Sequence, residues 1–515
     1  MTTTLPPRSR TSSSAVRAKA RPAGPGRPRG SGSSGGPGGS GSGGGSPVTP
    51  GGFSMTAVGD WLRSPVAPYY LIAVSAAVLT VLGLVMVLSA SGPGAYLESG
   101  NSYSVFINQV LYAGVGIGLA IVGSRVPVRW WKRLAWPAAL AALALQAAVF
   151  TPLGLDSFQG NQNWIMIGGR TLQPSEFGKI ALVVFGAAVL ATKRHLIHRI
   201  GHASIPLLFP VGLVLVGLVL RGNDLGTALI LVAILVGLLW AAGLPARWFA
   251  GVGVVAAAAV AYLAAGSANR MQRIQVWIGG ICDSPHAANG GCFQKVHAEY
   301  ALADGGWWGL GLGESREKWG LLPEPHNDFI LAIIGEELGL PGSLAVLVLF
   351  GVLAYAAFRI VSQSEDSFAR LAAAGVMIWF LSQALLNIGS VIGMVPIIGV
   401  PLPLVSSGGS ALIAALMGVG LLLALARSLP GAQDRFSGRS STLRRTIAAV
   451  PAGAARRRPS TSTKVAKKPA AKKTTVKTTK KRSTTRTTAT RAATKSPART
   501  TRKTAPAARR PGSRS

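Results

Sequence analysis

Apolar stretches long enough to cross a lipid bilayer recur through the middle of this chain, and they limit what it can fold into. A helix needs about 20 residues to span the hydrocarbon core, and only helices and closed barrels satisfy their backbone hydrogen bonds there. The sequence therefore predicts an all-α polytopic membrane protein with about ten transmembrane helices. The predicted spans are residues 69–90, 105–124, 134–152, 175–192, 205–220, 225–242, 248–266, 328–358, 370–395 and 408–427.

Composition divides the chain into a membrane domain and two polar tails. The chain has 515 residues, of which 49% are hydrophobic and only 13% charged. Residues 1–64 are rich in Gly, Ser, Pro and Arg, and residues 431–515 are rich in Lys, Arg, Thr, Ala and Pro. Neither tail can bury enough apolar surface to fold, so we expect both to be disordered around a membrane domain at 65–430.

The formal net charge of +35 comes mostly from the two tails. The run from Lys464 to Arg491 resembles a histone-type basic tail, so DNA binding and a role at an anionic membrane surface both have to be considered. The sequence contains no phosphate-cradling loop and no zinc-finger cysteine pattern. A role at the membrane lipid surface, or a solvated tail without a partner, is therefore favoured over nucleic-acid binding.

The short loops after the second, fourth, sixth and eighth spans carry the Lys and Arg residues. This asymmetry places those loops and both termini in the cytoplasm. The opposite face then receives a long loop at about 267–327, which contains Cys282 and Cys292. In an oxidising exterior these cysteines could form a disulfide, and two reduced thiols are the alternative.

The segment LPEPHNDFILAIIGEELG (Leu322–Gly339) places ionisable groups at the start of the eighth span and inside it. Asn327 is predicted to cap the helix, with Asp328 in its first turn as either a structural cap or a general base. Glu336 and Glu337 lie deeper, where carboxylates are costly, so we expect them to bond to neighbouring helices.

Two further motifs carry charge near the predicted outer face. In QPSEFGK, Glu176 and Lys179 share one helix face and form either a structural ion pair or a charged lining for a polar substrate. Asp224 in NDLGT is best explained as a helix N-cap. Trp164 is either an interfacial anchor or a stacking platform for a sugar.

These motifs, together with GLVMVLSAS (Gly83–Ser91), GLGESREKWG (Gly311–Gly320) and LPLVSSGGSA (Leu402–Ala411), resemble the SEDS family of shape, elongation, division and sporulation proteins. The resemblance covers about residues 65–430 and is strongest to the division branch of actinobacteria. It implies an inverting peptidoglycan glycosyltransferase that polymerises lipid II into β-1,4 glycan strands, releasing undecaprenyl diphosphate, at the outer face of the cytoplasmic membrane and at the division septum. The alternatives are an elongation-type polymerase of the same family, a lipid II transporter and a non-catalytic division scaffold.

The same resemblance implies roles for individual residues. Asp328 would be the catalytic base, and positive charge for the pyrophosphate would come from Lys318, Arg270, Arg273 or a divalent cation, Mg²⁺ or Mn²⁺, whose ligands the sequence leaves unassigned. The expected partners are a class B penicillin-binding protein, the transpeptidase FtsI, and other division proteins. The expected substrate-binding residues are Glu176, Lys179, Gln173, Trp164, His326, Lys318 and Ser406.

Overall fold

A computed structural model describes residues 55–155, 161–196, 205–266, 268–278, 282 and 291–436. The predicted tails, 1–64 and 431–515, lie outside the described residues except for their inner ends. The helices are α1 (Met55–Arg63), α2 (Ala67–Ser99), α3 (Ser104–Arg125), α4 (Val128–Arg133), α5 (Ala135–Ala148), α6 (Pro174–Thr192), α7 (Leu213–Arg221), α8 (Leu225–Ala241), α9 (Ala246–Ala265), α10 (Ala268–Ile278), α11 (Gly291–Gly305), α12 (Ile330–Gln363), α13 (Ser367–Val391) and α14 (Gly409–Arg427).

The chain is a polytopic membrane protein, and its apolar helices lie at the predicted positions. Six helices of the described residues, α2, α3, α6, α12, α13 and α14, are long and apolar enough to cross a bilayer. Four shorter apolar helices occupy the other predicted positions, at Ala135–Ala148, Leu207–Arg221, Leu225–Ala241 and Ala246–Tyr262. The second of these begins with an irregular segment, Leu207–Gly212, in which Phe209 has non-helical dihedral angles, before α7.

The centre of the domain is formed by α6, α13 and α14, and α6 is buried along most of its length. The faces of α2, α3 and α12 that point away from this centre expose apolar side chains such as Val81, Val122 and Val348. Small residues bring α3 and α14 close together, because a Cβ on Gly420 would lie 2.8 Å from the carbonyl oxygen of Ala120.

The folded unit extends beyond the predicted domain boundaries at both ends. Residues 55–63 form α1, and the guanidinium of Arg359 donates hydrogen bonds to the carbonyls of Leu62 and Arg63 at its end. At the other end, the ring of Phe436 packs edge-on against Tyr69 with centroids 5.1 Å apart. The extension is held by the Arg359 hydrogen bonds at one end and by the apolar contact of Phe436 at the other.

The segment predicted as a long loop, about 267–327, is partly helical. It contains α10 and α11, and a disulfide joins Cys282 to Cys292 at the start of α11. The structure therefore contains the disulfide and not the two reduced thiols.

A short β-hairpin lies in the loop before α6 of this otherwise helical fold. Strands β1 (Ile165–Ile167) and β2 (Arg170–Leu172) pair antiparallel across Gly168 and Gly169. Both glycines have positive φ, at 59° and 75°. A two-residue hairpin turn whose twist matches that of the strands requires positive φ at both positions. The Gly-Gly pair after the apolar triplet Ile165–Ile167 was the sequence signal for it.

Helix α12 is broken at Gly339, whose φ of 66° is non-helical, just before Pro341. Proline lacks the N–H that would bond to the carbonyl of Glu337. The loop after α11 supplies the missing donors: Leu310 N donates to Glu336 O at 2.9 Å and Gly311 N to Glu337 O at 3.0 Å. The break thus fixes the loop that leads to the start of α12.

Candidate functional site

Asp328 lies just before α12 and not in its first turn as predicted. The helix begins at Ile330 with Phe329 at the N-cap position, and no side chain caps it. The predicted cap residue, Asn327, instead presents its backbone carbonyl to Ser406. Asp328 is therefore not the structural cap of this helix, which leaves the general base as the remaining alternative for its carboxylate.

The backbone around Asp328 is held by polar side chains from two other elements. Asn387 in α13 donates from Nδ2 to the carbonyls of Asp328 and Val400, both at 2.8 Å. Ser406 donates from Oγ to the carbonyl of Asn327 at 2.7 Å, and Ser407 N donates to His326 O at 2.9 Å. Each bond fixes the main chain, so the Asp328 side chain is positioned without using its own oxygens.

The carboxylate of Asp328 accepts no hydrogen bond from any of the described residues. It lies against the backbone of Gly399, where an added Cβ would be 3.3 Å from Oδ2. Burial, reinforced by the negative charges of Glu324 and Asp224 and opposed by Arg273, raises the pKa of Asp328 to about 7. A carboxylate with this pKa can accept a proton near neutral pH.

His326 shares the environment of this acid. Burial lowers the pKa of His326, although the negative charges of Glu324 and Glu98 act in the opposite direction. The imidazole is therefore neutral near pH 7, and it adds no positive charge that would lower the pKa of Asp328.

Gln173 and Asp224 are joined at the edge of this site. Gln173, at the N-cap position of α6, donates from Nε2 to Asp224 Oδ2 at 3.2 Å. The other oxygen of Asp224 accepts from Thr227 N at 2.8 Å, which confirms its predicted role as the cap of α8. Asp224 thus has a structural role and also contributes to the electrostatics of Asp328.

Helix α10 brings two arginines to the same side. Arg270 donates to Asn223 O at 3.1 Å and Arg273 donates to Ile397 O at 3.2 Å. Of these two guanidiniums, that of Arg273 acts electrostatically on Asp328. Arg273 is therefore the better placed of the predicted pyrophosphate cations.

Glu176 and Lys179 form a fully buried ion pair at 2.7 Å. Lys179 also donates to Gln383 Oε1 at 2.9 Å and lies over the ring of Trp379. Because Lys179 is only 1% exposed, its ammonium cannot touch a pyrophosphate in this conformation. The structural ion-pair interpretation describes Lys179, and the pair positions its surroundings.

Ser406 connects the buried pair to the Asp328 segment. Ser406, Glu176 and Gln383 line one small cavity of about 10 Å³, which is room for about one water. Gln383 also donates to Pro401 O at 2.8 Å, so the segment 397–408 is held by α13 at Pro401 and Val400. The predicted residues Glu176, Ser406 and the backbone of the Asp328 segment thus form one connected polar network.

Lys318 belongs to a different network and does not face Asp328. Its ammonium donates to Glu337 Oε1 at 3.0 Å and to Ser89 Oγ at 3.1 Å. The neighbouring Glu336 accepts from Ser315 Oγ at 2.5 Å and Arg316 N at 2.7 Å. The expected bonding of Glu336 and Glu337 to neighbouring elements is confirmed. The ammonium of Lys318 is paired with the buried Glu337 carboxylate in this structure, so its role beside a pyrophosphate stays a prediction.

Neither a role for Trp164 nor a set of metal ligands is found at this site among the described residues. Trp164 is half-buried, and no hydrogen bond or ring contact found among the described residues joins its side chain to the Asp328 segment. Within the described residues, no group of three or more His, Cys, Asp or Glu side chains could hold a metal ion. The described residues thus do not fit a protein-only site for Mg²⁺ or Mn²⁺.

Three of the positioning residues were not predicted: Gln383, Asn387 and Gln109. Gln109 in α3 donates to Ser406 O at 3.2 Å and accepts from Gly408 N at 3.2 Å, so it fixes the other side of the same segment. All three are polar residues inside apolar spans, which are costly in lipid unless they bond to something. The argument applied to Glu336 and Glu337 would have found them.

Comparisons with known proteins agree with this architecture. A family model described as "Cell cycle protein", covering FtsW, RodA and SpoVE, matches residues 69–430. The probable peptidoglycan glycosyltransferase FtsW of Mycobacterium tuberculosis is 38% identical over 378 residues, which is 73% of this chain and 71% of that protein.

Two solved structures share the fold. A chain from a peptidoglycan synthase complex, described by its coordination of polymerization and crosslinking, aligns with a TM-score of 0.56 at 26% identity, covering 69% of this chain and 96% of that chain. The rod shape determining protein RodA of Thermus thermophilus aligns with a TM-score of 0.51 at 27% identity, covering 72% of this chain and 99% of that chain. This chain therefore belongs to the FtsW/RodA/SpoVE family of cell cycle proteins.

Proposed function

We propose that this protein is a peptidoglycan glycosyltransferase that polymerises lipid II into β-1,4 glycan strands during cell division, with Asp328 as its general base. The observation that carries the proposal is the Asp328 carboxylate, which is held in place through its backbone and accepts no hydrogen bond within the described structure. Relatives at 34–38% identity over most of the chain are named probable peptidoglycan glycosyltransferase FtsW, which supports the same activity.

In the proposed reaction, Asp328 takes the proton of the acceptor sugar's 4-hydroxyl as that oxygen attacks the anomeric carbon of the donor. The new C–O bond forms on the face opposite the departing undecaprenyl diphosphate, so the α-linked donor becomes a β-linked glycan. A pKa of about 7 suits this role, because a large fraction of Asp328 is deprotonated at neutral pH while the base is still strong enough to accept a proton.

The leaving pyrophosphate needs positive charge close to the membrane surface. We assign this role to Arg273, with Arg270 beside it on α10, because Arg273 already acts on Asp328. A divalent cation, if one is required, would arrive with the substrate phosphates, since Mg²⁺ is usually held by few carboxylates and several phosphate or water oxygens. No step of the proposed mechanism depends on it.

We place the Asp328 face outside the cytoplasm and both termini inside, as a multi-pass protein of the cytoplasmic membrane at the division septum. The basic segment at the end of α3 supports this orientation, because Lys and Arg concentrate on the cytoplasmic side of membrane proteins. A class B penicillin-binding protein, the transpeptidase FtsI, is the proposed partner, and the structural likeness to a chain of a peptidoglycan synthase complex supports it.

The test is polymerisation of lipid II by the purified full-length protein together with its cognate transpeptidase partner, whose own chemistry is blocked. We expect glycan chains from the wild type and none from Asp328→Asn. The matched control is Asp366→Asn, the same substitution at the N-cap of α13, where Asp366 accepts from Phe368 N at 3.0 Å.

Normal polymerisation by Asp328→Asn would overturn the general-base role. If neither wild type nor variant makes chains although both bind lipid II, the enzyme proposal fails and a lipid II transporter explains the site better. Strands made by wild type only in the presence of an elongation-type transpeptidase would move the protein to the elongation branch of the family.

A further inference from the structure

A cleft lies at the end of α3, on the opposite side of the domain from Asp328. Helix α3 ends at Arg125, Val126 is extended at φ −70° and ψ 123°, and the chain re-enters a helix at Val128. The space left by this crossover is an open surface depression of about 540 Å³ and not an enclosed cavity. We call it the crossover cleft; its lining residues are Val122, Arg125, Val126, Pro127, Trp130 and Leu134.

The wall of the crossover cleft is apolar and exposed. Val122, Trp130 and Leu134 are 60%, 47% and 48% exposed. The adjacent Trp131 is used differently, because its Nε1 donates to Gly123 O at 3.4 Å and fastens the crossover to α3. Trp130 therefore has no structural partner of that kind and presents its ring to the cleft, at the depth where tryptophan meets lipid headgroups.

The chain segment that forms the cleft is strongly cationic. Arg125, Arg129, Lys132 and Arg133 lie within nine residues, and no Asp or Glu occurs between residues 99 and 155. None of these four cations forms an ion pair within the described part of the chain. Arg133 lies over the ring of Trp130, with its guanidinium carbon 5.1 Å from the centroid, which orders one cation at the cleft wall.

We propose that the crossover cleft binds an anionic phospholipid, with an acyl chain against Val122, Trp130 and Leu134 and the headgroup phosphate between Arg125 and Arg129. An apolar wall and a cationic segment occur together here at the end of a membrane helix. That combination fits one amphiphile with a negative headgroup, whereas a nucleic acid or an acidic peptide would leave the apolar wall uncovered.

A bound lipid would also stabilise the packing of α3 against α14. Arg427 at the end of α14 donates to Ser124 O at 3.3 Å, directly beside the cleft. The other end of α3 carries Gln109, which holds the segment next to Asp328. Occupancy of the cleft therefore fixes a helix that contributes to the candidate site, and binding should raise the thermal stability of the protein.

The test titrates the full-length protein, purified in neutral detergent and stripped of lipid, with phosphatidylglycerol or with phosphatidylcholine of the same acyl chains. Native mass spectrometry measures the bound lipid, and thermal unfolding measures the stabilisation. We expect selective binding of phosphatidylglycerol, weakened about 10-fold or more in Arg125→Gln/Arg129→Gln, since each basic side chain contributes to binding an anionic headgroup.

Two further variants separate a built site from diffuse surface charge. Val122→Trp fills the cleft without changing charge and should weaken phosphatidylglycerol binding similarly, whereas Arg247→Gln/Arg370→Gln, an equal charge change at exposed arginines elsewhere, should leave it within about twofold. Equal binding of both lipids, equal losses in the two arginine pairs, or unchanged binding in Val122→Trp would each overturn the proposal.

Discussion

Asp328 and the pair Glu336 and Glu337 are carboxylates on one continuous segment, yet the structure treats them in opposite ways. Glu336 and Glu337 are fully buried, and four groups, Ser89, Ser315, Arg316 and Lys318, donate to them at 2.5 to 3.0 Å. Asp328 is held only through its backbone. A carboxylate that accepts from several donors, as Glu336 does, or that is paired with a buried cation, as Glu337 is, contributes to the fold, whereas one positioned without donors remains available for proton transfer.

The largest expected difference between the two regions is in the rate of polymerisation. Asp328→Asn removes the base and should lower the rate by about 100- to 10,000-fold, the usual contribution of a general base, without changing the unfolding temperature. Glu336→Gln should lower the unfolding temperature, because Gln cannot accept all the bonds that Glu336 accepts. Steady-state polymerisation and thermal unfolding of both variants test this comparison, and a folding defect in Asp328→Asn would contradict it.

The buried pair should show strong coupling in stability. Lys318→Met leaves the Glu337 carboxylate buried without its cation, and we expect a loss of about 3 kcal/mol in unfolding free energy. Lys318→Met/Glu337→Gln removes both charges and should be less destabilised than the single variant. Denaturant unfolding of the wild type, Lys318→Met, Glu337→Gln and the double variant measures the coupling free energy. Additive losses of unfolding free energy would show that the two charges do not depend on each other.

A smaller effect is expected on the pH dependence. The negative charge of Glu324 raises the pKa of Asp328, so Glu324→Gln should lower that pKa, and the rising limb of the rate should move to lower pH. Arg273→Gln should move it to higher pH, because Arg273 stabilises the charged form. Both groups are solvent-exposed, so we expect shifts of about 0.5 unit. The pH profile of kcat/KM checks the two directions, and shifts of the same sign in both variants would exclude Asp328 as the titrating group.

The smallest expected effect is on the polymerisation rate of two glycine-to-alanine variants, which separate the cost of backbone strain from displacement of Asp328. Gly399 and Gly100 both have positive φ, at 76° and 70°, so an alanine at either position costs about 1 kcal/mol of backbone strain. A Cβ at Gly399 would meet the Asp328 carboxylate, whereas at Gly100 it meets nothing within 4 Å.

We therefore expect Gly399→Ala to slow polymerisation by about 3- to 10-fold through displacement of Asp328, and Gly100→Ala to leave the rate unchanged. Unfolding temperatures should fall similarly in both. Equal rates for the two variants would show that the position of the Asp328 side chain tolerates this contact.

The sequence by itself determined the membrane architecture, because apolar length and the need to satisfy backbone hydrogen bonds leave few alternatives in lipid. It also singled out Asp328, Glu176 and Lys179, since charges beside or within apolar spans are costly and therefore meaningful. The cap at Asp224 followed from local chemistry that needs only neighbouring residues, and the structure has it there.

Only the tertiary structure decided which charged side chains are paired inside the protein and which remain available for the reaction. Lys318 and Asp328 are ten residues apart on one segment. The sequence around them does not predict that Lys318 donates to Glu337 and Ser89, or that the Asp328 carboxylate has no donor within the described structure. The donors to Glu336 and Glu337 come from the loop after α11 and from α2, and the bonds that hold the Asp328 backbone come from α13 and the segment before α14. Such pairings between distant residues depend on how the helices pack. A pattern along the sequence therefore does not predict them.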